Sequence, residues 1–166
     1  MADVFLGLGS NINPHANLQS AIADLQKLFG CVRSSPAYES EPVGFKGDNF
    51  VNLAIGLTTN ASVGELQSEL KGLEDKSGRV RSAPKFSART LDIDILMYDD
   101  LTGEVDGVLL PRAEILHNAF VLRPLSELAP ELIHPTANCS LAQLWTEFDK
   151  STQKLWQTSL PNSKLR

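Results

Sequence analysis

Cysteine is nearly absent from this chain: Cys31 and Cys139 stand far apart, and neither has a ligand-like neighbour. That scarcity argues against a disulfide framework or a cysteine zinc site and suits a reducing compartment. No apolar run reaches the roughly 18 residues that a membrane-spanning helix needs. The opening Met-Ala-Asp-Val-Phe-Leu lacks the basic and apolar regions of a secretion signal, so a cytoplasmic location is expected. Basic excess is missing too. Fifteen Lys and Arg against twenty Asp and Glu leave a net charge of −5, which weighs against a broad nucleic-acid-binding surface. Aromatic residues make up only 7%, and no aromatic-rich strand of the RNA-binding kind occurs. His15, His117 and His134 are scattered; they form no metal triad and read as surface residues. Repeats and linkers are lacking, so residues 1–166 read as one domain, with 42% apolar residues to build its core.

What is present is a clear succession of elements. Val4 to Leu8 is a short apolar run closed by Gly9-Ser10-Asn11, a strand ending in a turn. Pro14 suits a first helical turn, Leu18, Ala21, Ile22, Leu25 and Leu28 mark a helical stripe, and Gly30 stops it. Cys31 to Tyr38 reads as a second strand, and Glu41 to Asn49, with Pro42, Gly44 and Gly47, as a loop. Phe50 to Thr59 alternates as a third strand, with Val51, Leu53, Ile55 and Leu57 on one face and Phe50, Asn52 and Ala54 on the other. Ser62-Val-Gly-Glu65 has the form of a capping box; the helix behind it turns Val63, Leu66, Leu70 and Leu73 inward and fades at Ser77-Gly78. After a loop at 79–89, residues 89–98 alternate again. The order β-α-β-β-α-β predicts an α/β (α+β) ferredoxin-like fold, an antiparallel sheet backed by two helices. A short strand at Val108 to Leu110 and helical pieces at Leu125 to Leu128 and Ser140 to Phe148 follow. The tail after Lys150 is polar apart from Leu155, Trp156 and Leu160 and is expected to pack loosely.

The chemistry concentrates in Arg89-Thr-Leu-Asp92-Ile-Asp94-Ile-Leu. On a strand, Asp92 and Asp94 share one face about 7 Å apart, and the aliphatic residues take the other. Just upstream lie Arg79, Arg81, Lys85 and Arg89. Paired carboxylates beside such cations point to Mg²⁺ and a polyphosphate, with hard oxygens for the metal and guanidinium groups for phosphoryl oxygens. The plain alternative is an edge strand with a solvated acidic face. Phe50 and Asn52 share a strand face, where a ring and a primary amide suit a flat heteroaromatic ligand, or else a minor core contact and a surface Asn. Glu74, one turn before Gly78-Arg79-Val80-Arg81, either orients an arginine or pairs with it at the surface. Gly7-Leu8-Gly9-Ser10 lacks the lysine of a P-loop and the spacing of a dinucleotide fingerprint, and reads as a tight turn.

Together, Glu74-x-x-x-Gly78-Arg79-x-Arg81, the Arg89 to Leu96 block and Phe120-Val-Leu-x-Pro124-Leu-x-Glu127-Leu-Ala-Pro130 resemble the 6-hydroxymethyl-7,8-dihydropterin pyrophosphokinase family of folate synthesis. Gly9-Ser10-Asn11, Tyr38-x-Ser40-x-Pro42-Val43-Gly44 and Phe50-x-Asn52 fit the same pattern in the same order, over about residues 4 to 135. The resemblance implies transfer of the β,γ-pyrophosphoryl unit of ATP to the hydroxymethyl group of a reduced pterin, releasing AMP. It implies two Mg²⁺ ions on Asp92 and Asp94, charge stabilisation by Arg79 and Arg89, and phosphate binding assisted by Arg81 and Lys85. A pterin would lie between Phe50 and Phe120, with Asn52, Ser40 and main chain at Pro42 and Val43 reading its polar edge and Glu74 supporting the arginine loop. Arg112 stands where the family commonly has a phosphate-contacting His, Asn118 where an Arg is usual, and Phe86-Ser87-Ala88 where a Trp-Gly-Pro run is usual. The enzyme is expected to act as a monomer on small molecules, without a nucleic-acid or membrane partner. Beside this stand a divergent relative acting on another pterin and a non-catalytic pterin- or nucleotide-binding module.

Overall fold

The computed structural model describes residues 1–42, 47–78 and 90–160. Among the described residues, eight strands, four α-helices and a 3-10 turn follow one another. They are β1 (Ala2–Ser10), α1 (Pro14–Phe29), β2 (Arg33–Ser34), β3 (Ala37–Ser40), β4 (Phe50–Thr59), α2 (Val63–Lys76) and β5 (Asp92–Tyr98), then β6 (Gly103–Val105), β7 (Val108–Leu110), the 3-10 turn (Ala113–Leu116), α3 (Ala119–Leu128), α4 (Leu141–Glu147) and β8 (Leu155–Thr158). The main sheet runs β5-β1-β4-β3-β8, with β2 also pairing β4, and its pairings are antiparallel. The strands of the β-α-β-β-α-β unit thus take the ferredoxin-like order that the sequence predicts. β6 and β7 form a separate hairpin.

Period-two alternation gives the sheet two apolar faces. Val4, Leu6, Leu8, Val51, Leu53, Ile55, Ile93 and Ile95 join Leu18, Ile22 and Leu25 of α1 and Leu66 and Leu70 of α2 in one core. On the other face, Phe5, Ala54 and Met97 pack with Ile115, Leu122, Leu125 and Leu141. The result is helices, sheet and helices, a third layer beyond the two-helix backing read from the sequence. Both predicted start signals for helices are present. Ser62 Oγ accepts from Glu65 N–H at 3.1 Å while Glu65 takes the Ser62 N–H at 2.9 Å, and Pro14 opens α1.

Several boundaries differ from expectation. β1 continues through Gly9 and Ser10, which pair with Asn52 and Val51, so the glycine run is strand and not a turn. The Cys31–Tyr38 segment splits in two, because Pro36 has no N–H for a ladder. Ser35 bridges the gap: its N–H donates to the Ala54 carbonyl, its Oγ accepts from Ala54 N–H, and its hydroxyl donates to Pro36. Leu28 is exposed, outside the α1 stripe. α3 begins at Ala119, six residues before the predicted piece, and accommodates Pro124 in its interior. His134 is buried, not at the surface; its Nδ1 accepts from the N–H groups of Thr136 and Ala137. The tail also differs. Residues 155–158 add β8 to the sheet edge, because a chain returning alongside β3 meets its unpaired N–H and C=O groups.

Candidate active site

β1 and β3 end, and β4 and β5 begin, at the same end of the sheet. The pairing register there places Asp92 opposite Gly9, Gly9 opposite Asn52, and Asn52 opposite Tyr38. Directly paired residues share a face, so these four form one row across four strands. The next row holds Asp94, Gly7 and Ala54. Both carboxylates therefore lie on the α3 side of the sheet together with Asn52 and Phe50. Gly7 and Gly9 make space for their neighbours: a Cβ on Gly7 would stand 3.3 Å from the Leu96 side chain, which packs over that glycine, and the Asn52 amide lies over Gly9. A Cβ on Gly9 would come within 2.5 Å of Asn52 Nδ2, so the strand needs glycine there.

At one end of these rows, Asp92 and Asp94 are half-buried. Their oxygens are hard donors of the kind Mg²⁺ takes, and this ion characteristically uses one or two protein carboxylates and completes its shell with water and phosphate. Among the described residues no group of three His, Cys, Asp or Glu converges, so such an ion would depend on the nucleotide for the rest of its ligands. Arg112 reaches the same place: its Nη2 lies 3.6 Å from Asp94 Oδ1, and its Nε is 2.8 Å from Glu114 Oε2. With about a third of Arg112 exposed, the pair is worth at most about 1 kcal/mol. The contact sets a cation beside the Asp94 carboxylate.

At the other end, Asn52 Nδ2 donates weakly to the Leu8 carbonyl at 3.5 Å, and its buried Oδ1 has no donor among the described residues. An unmatched buried acceptor costs about 1–3 kcal/mol, and a ligand N–H at this point would relieve it. Phe50 opens β4, Phe120 lies in the first turn of α3, and Ser40 closes β3, so strand ends and a helix start bring these three to the same end of the molecule. Phe50 and Phe120 are half-buried, whereas Ser40 is buried. Pro42 follows just beyond β3. Val43, Arg79, Arg81, Lys85 and Arg89 lie outside the described residues.

The sequence profile of the 7,8-dihydro-6-hydroxymethylpterin-pyrophosphokinase (HPPK) family matches residues 5–130, most of the chain. The chain belongs to this family. A Synechocystis 2-amino-4-hydroxy-6-hydroxymethyldihydropteridine pyrophosphokinase is 35% identical over 87% of this chain and 75% of its own length. The protein of the same name from Pseudomonas aeruginosa is 35% identical over 80% and 83%. Among solved structures, a Plasmodium falciparum HPPK-DHPS chain superposes with a TM-score of 0.69 at 14% identity, which bears on the fold. The match covers 88% of this chain but 44% of that longer, fused one.

Within this pyrophosphokinase, Glu74 has a more definite place than the sequence allowed. It is buried at the end of α2, and its Oε2 accepts the Ile93 N–H at 2.7 Å. Ile93 lies between the two aspartates, so the carboxylate pins the backbone that carries them. Tyr38 was missed as a contributor. Its ring lies beneath the Arg123 guanidinium at 4.5 Å, and its hydroxyl donates to Glu127 Oε1. Burial first, then the bond to Glu127 and its charge, push the phenol up to about 12, against the opposing pull of Arg123. Gly7 and Gly9, read from the sequence as a tight turn, are strand residues paired with Asp94 and Asp92.

Proposed function

We propose that this chain transfers the pyrophosphoryl group of ATP to the hydroxymethyl group of 6-hydroxymethyl-7,8-dihydropterin, releasing AMP, as a cytoplasmic enzyme of folate biosynthesis. Membership of the family and the names of its relatives support that activity, and neither a non-catalytic module nor another acceptor is favoured. The observation that supports the residue assignment is the row Asp92–Gly9–Asn52, with Asp94 in the next row: two carboxylates and an amide on one face of the sheet. None of the described helices is long and apolar enough to cross a membrane.

In this reading Asp92 and Asp94 hold two Mg²⁺ ions, which when bound neutralise phosphate charge and align the reacting oxygens. Asn52 Oδ1 accepts an N–H from the pterin edge, Ser40 and the main chain at Pro42 and Val43 complete that edge, and Phe50 and Phe120 cover its two faces. Arg79 and Arg89 stabilise charge on the transferred group, and Arg81, Lys85 and Arg112 bind the phosphates. Arg112 moves its positive charge from Asp94 to a phosphoryl oxygen as the nucleotide arrives, keeping its Glu114 tether. Glu74 keeps the aspartates in register. The hydroxymethyl oxygen bonds to the β-phosphorus and loses its proton, and the bond from that phosphorus to the bridging oxygen of AMP breaks.

The deciding experiment follows AMP release from ATP, Mg²⁺ and 6-hydroxymethyl-7,8-dihydropterin, with pterin-free controls. Pterin-dependent AMP is expected, and Asp92→Ala or Asp94→Ala should lower the rate about a thousandfold or more, roughly 4 kcal/mol of barrier. Near-normal turnover in either variant at saturating Mg²⁺ would remove the two carboxylates from the mechanism.

A further inference from the structure

The C-terminal segment lies beyond the stretch that the family profile matches, yet it reaches both β3 and the start of α3, the elements that carry Ser40 and Phe120. β8 pairs along β3, with Leu155 opposite Ser40 and Gln157 opposite Tyr38. Two residues before β8, Gln153 meets the start of α3. Its Oε1 accepts the Ala119 N–H at 2.8 Å, and its Nε2 donates to the His117 carbonyl at 2.9 Å. These bonds bracket Asn118, the N-cap position of α3, whose own side chain makes no capping bond. The first N–H groups of a helix have no partner within it, and a missing local cap leaves the first turn free to fray. Here the cap comes from a residue 34 positions away in sequence. Ala119 is buried, so its N–H depends on this partner, and the next residue is Phe120.

We propose that Gln153 is a positioning residue for the pterin: by clamping the first turn of α3 at two points, it fixes Phe120 against the plane of the bound ring. The inference rests on the assignment of Phe120 to that plane. Its physical basis is preorganisation. If the clamped turn is populated only part of the time, the measured affinity falls by that fraction, since the pterin must then order the turn itself. ATP, bound towards Asp92 and Asp94, does not depend on the clamp.

The test measures pterin binding to the enzyme saturated with Mg²⁺ and a non-hydrolysable ATP analogue, and binding of that analogue alone, for wild type, Gln153→Ala, Gln153→Glu and Phe120→Ala. Gln153→Ala should weaken pterin binding about fivefold, a change of about 1 kcal/mol, and leave the analogue within about twofold. Amide exchange at Ala119 should speed up in the same variant. Gln153→Glu, which keeps the acceptor and adds negative charge at the helix N-terminus, should recover most of the loss. Equal losses for both ligands, or unchanged pterin binding in Gln153→Ala while Phe120→Ala weakens it, would overturn the clamp. Unchanged pterin binding in Phe120→Ala would instead overturn the assignment of Phe120 itself.

Discussion

A phenol sealed beneath a guanidinium and tied to a carboxylate carries its own pH signature. The Tyr38 pKa in the folded chain, about 12, lies above the ordinary value near 10, so folding favours the neutral form. The stability this supplies is complete below about pH 10 and is lost as pH rises towards 12. Absorbance titration should therefore show a phenol ionising near 12 that is missing in Tyr38→Phe, and the gap in Tm between the two proteins should narrow above about pH 10. A wild-type titration already complete by about pH 11 would contradict the arrangement. Gly9 and Asn52 show the same dependence on neighbours. Each is unremarkable alone, and each acquires its role from the residue opposite it on the next strand.

At the scale of elements, α2 and β5 share a buried core through Leu66, Leu70, Ile93 and Ile95, and a buried polar contact, the Glu74 carboxylate on the Ile93 N–H, ties them beside the aspartates. Glu74→Ala should orphan that buried N–H and cost about 1–3 kcal/mol. It should also lower turnover by more than the stability loss explains, because Asp92 and Asp94 flank Ile93. Glu74→Gln, which keeps an acceptor, should retain most of the stability. Equal melting temperatures for Glu74→Ala and wild type would show that the contact carries no weight. The sequence announced β4, α2 and β5 almost to the residue, because alternation and a capping box are local signals. It misplaced the end of β1, the start of α3 and the fate of the tail, because those depend on partners. Gly9 and Ser10 are strand only when β4 and β5 lie beside them, Pro124 disguises a helix held from outside, and β8 exists because β3 offers an edge. The site divided in the same way. Asp92, Asp94, Phe50 and Asn52 were legible from alternation and resemblance. The pairing of Gly9 with Asp92 and Asn52, the Arg123 and Glu127 contacts of Tyr38 and the place of Gln153 were not, since pairing register and a contact between residues 119 and 153 leave no mark at either position.

Over the whole molecule, one sheet serves two cores, with Leu66 buried on one face and Leu122 on the other. We propose that the cores melt together, since neither set of helices can dissociate without exposing a face of the sheet that both share. Leu66→Ala and Leu122→Ala should each cost about 2–5 kcal/mol and lower a single calorimetric transition. Two separated transitions in either variant would divide the chain into independent units.

The register of β5, β1 and β4 has one more consequence. Neighbouring strands keep a spacing of about 4.8 Å, and Asp92 and Asn52 are two strands apart, so the fold carries a ruler of about 10 Å between the carboxylate and the amide proposed to hold metal and pterin. A synthetic molecule designed to occupy both ends at once must carry a tether of about that span; a shorter or longer one forfeits an anchor. Because the graduations are main-chain hydrogen bonds, no side-chain replacement recalibrates them. Slipping β1 by one residue would, but it would also turn Leu6 and Leu8 out of the core.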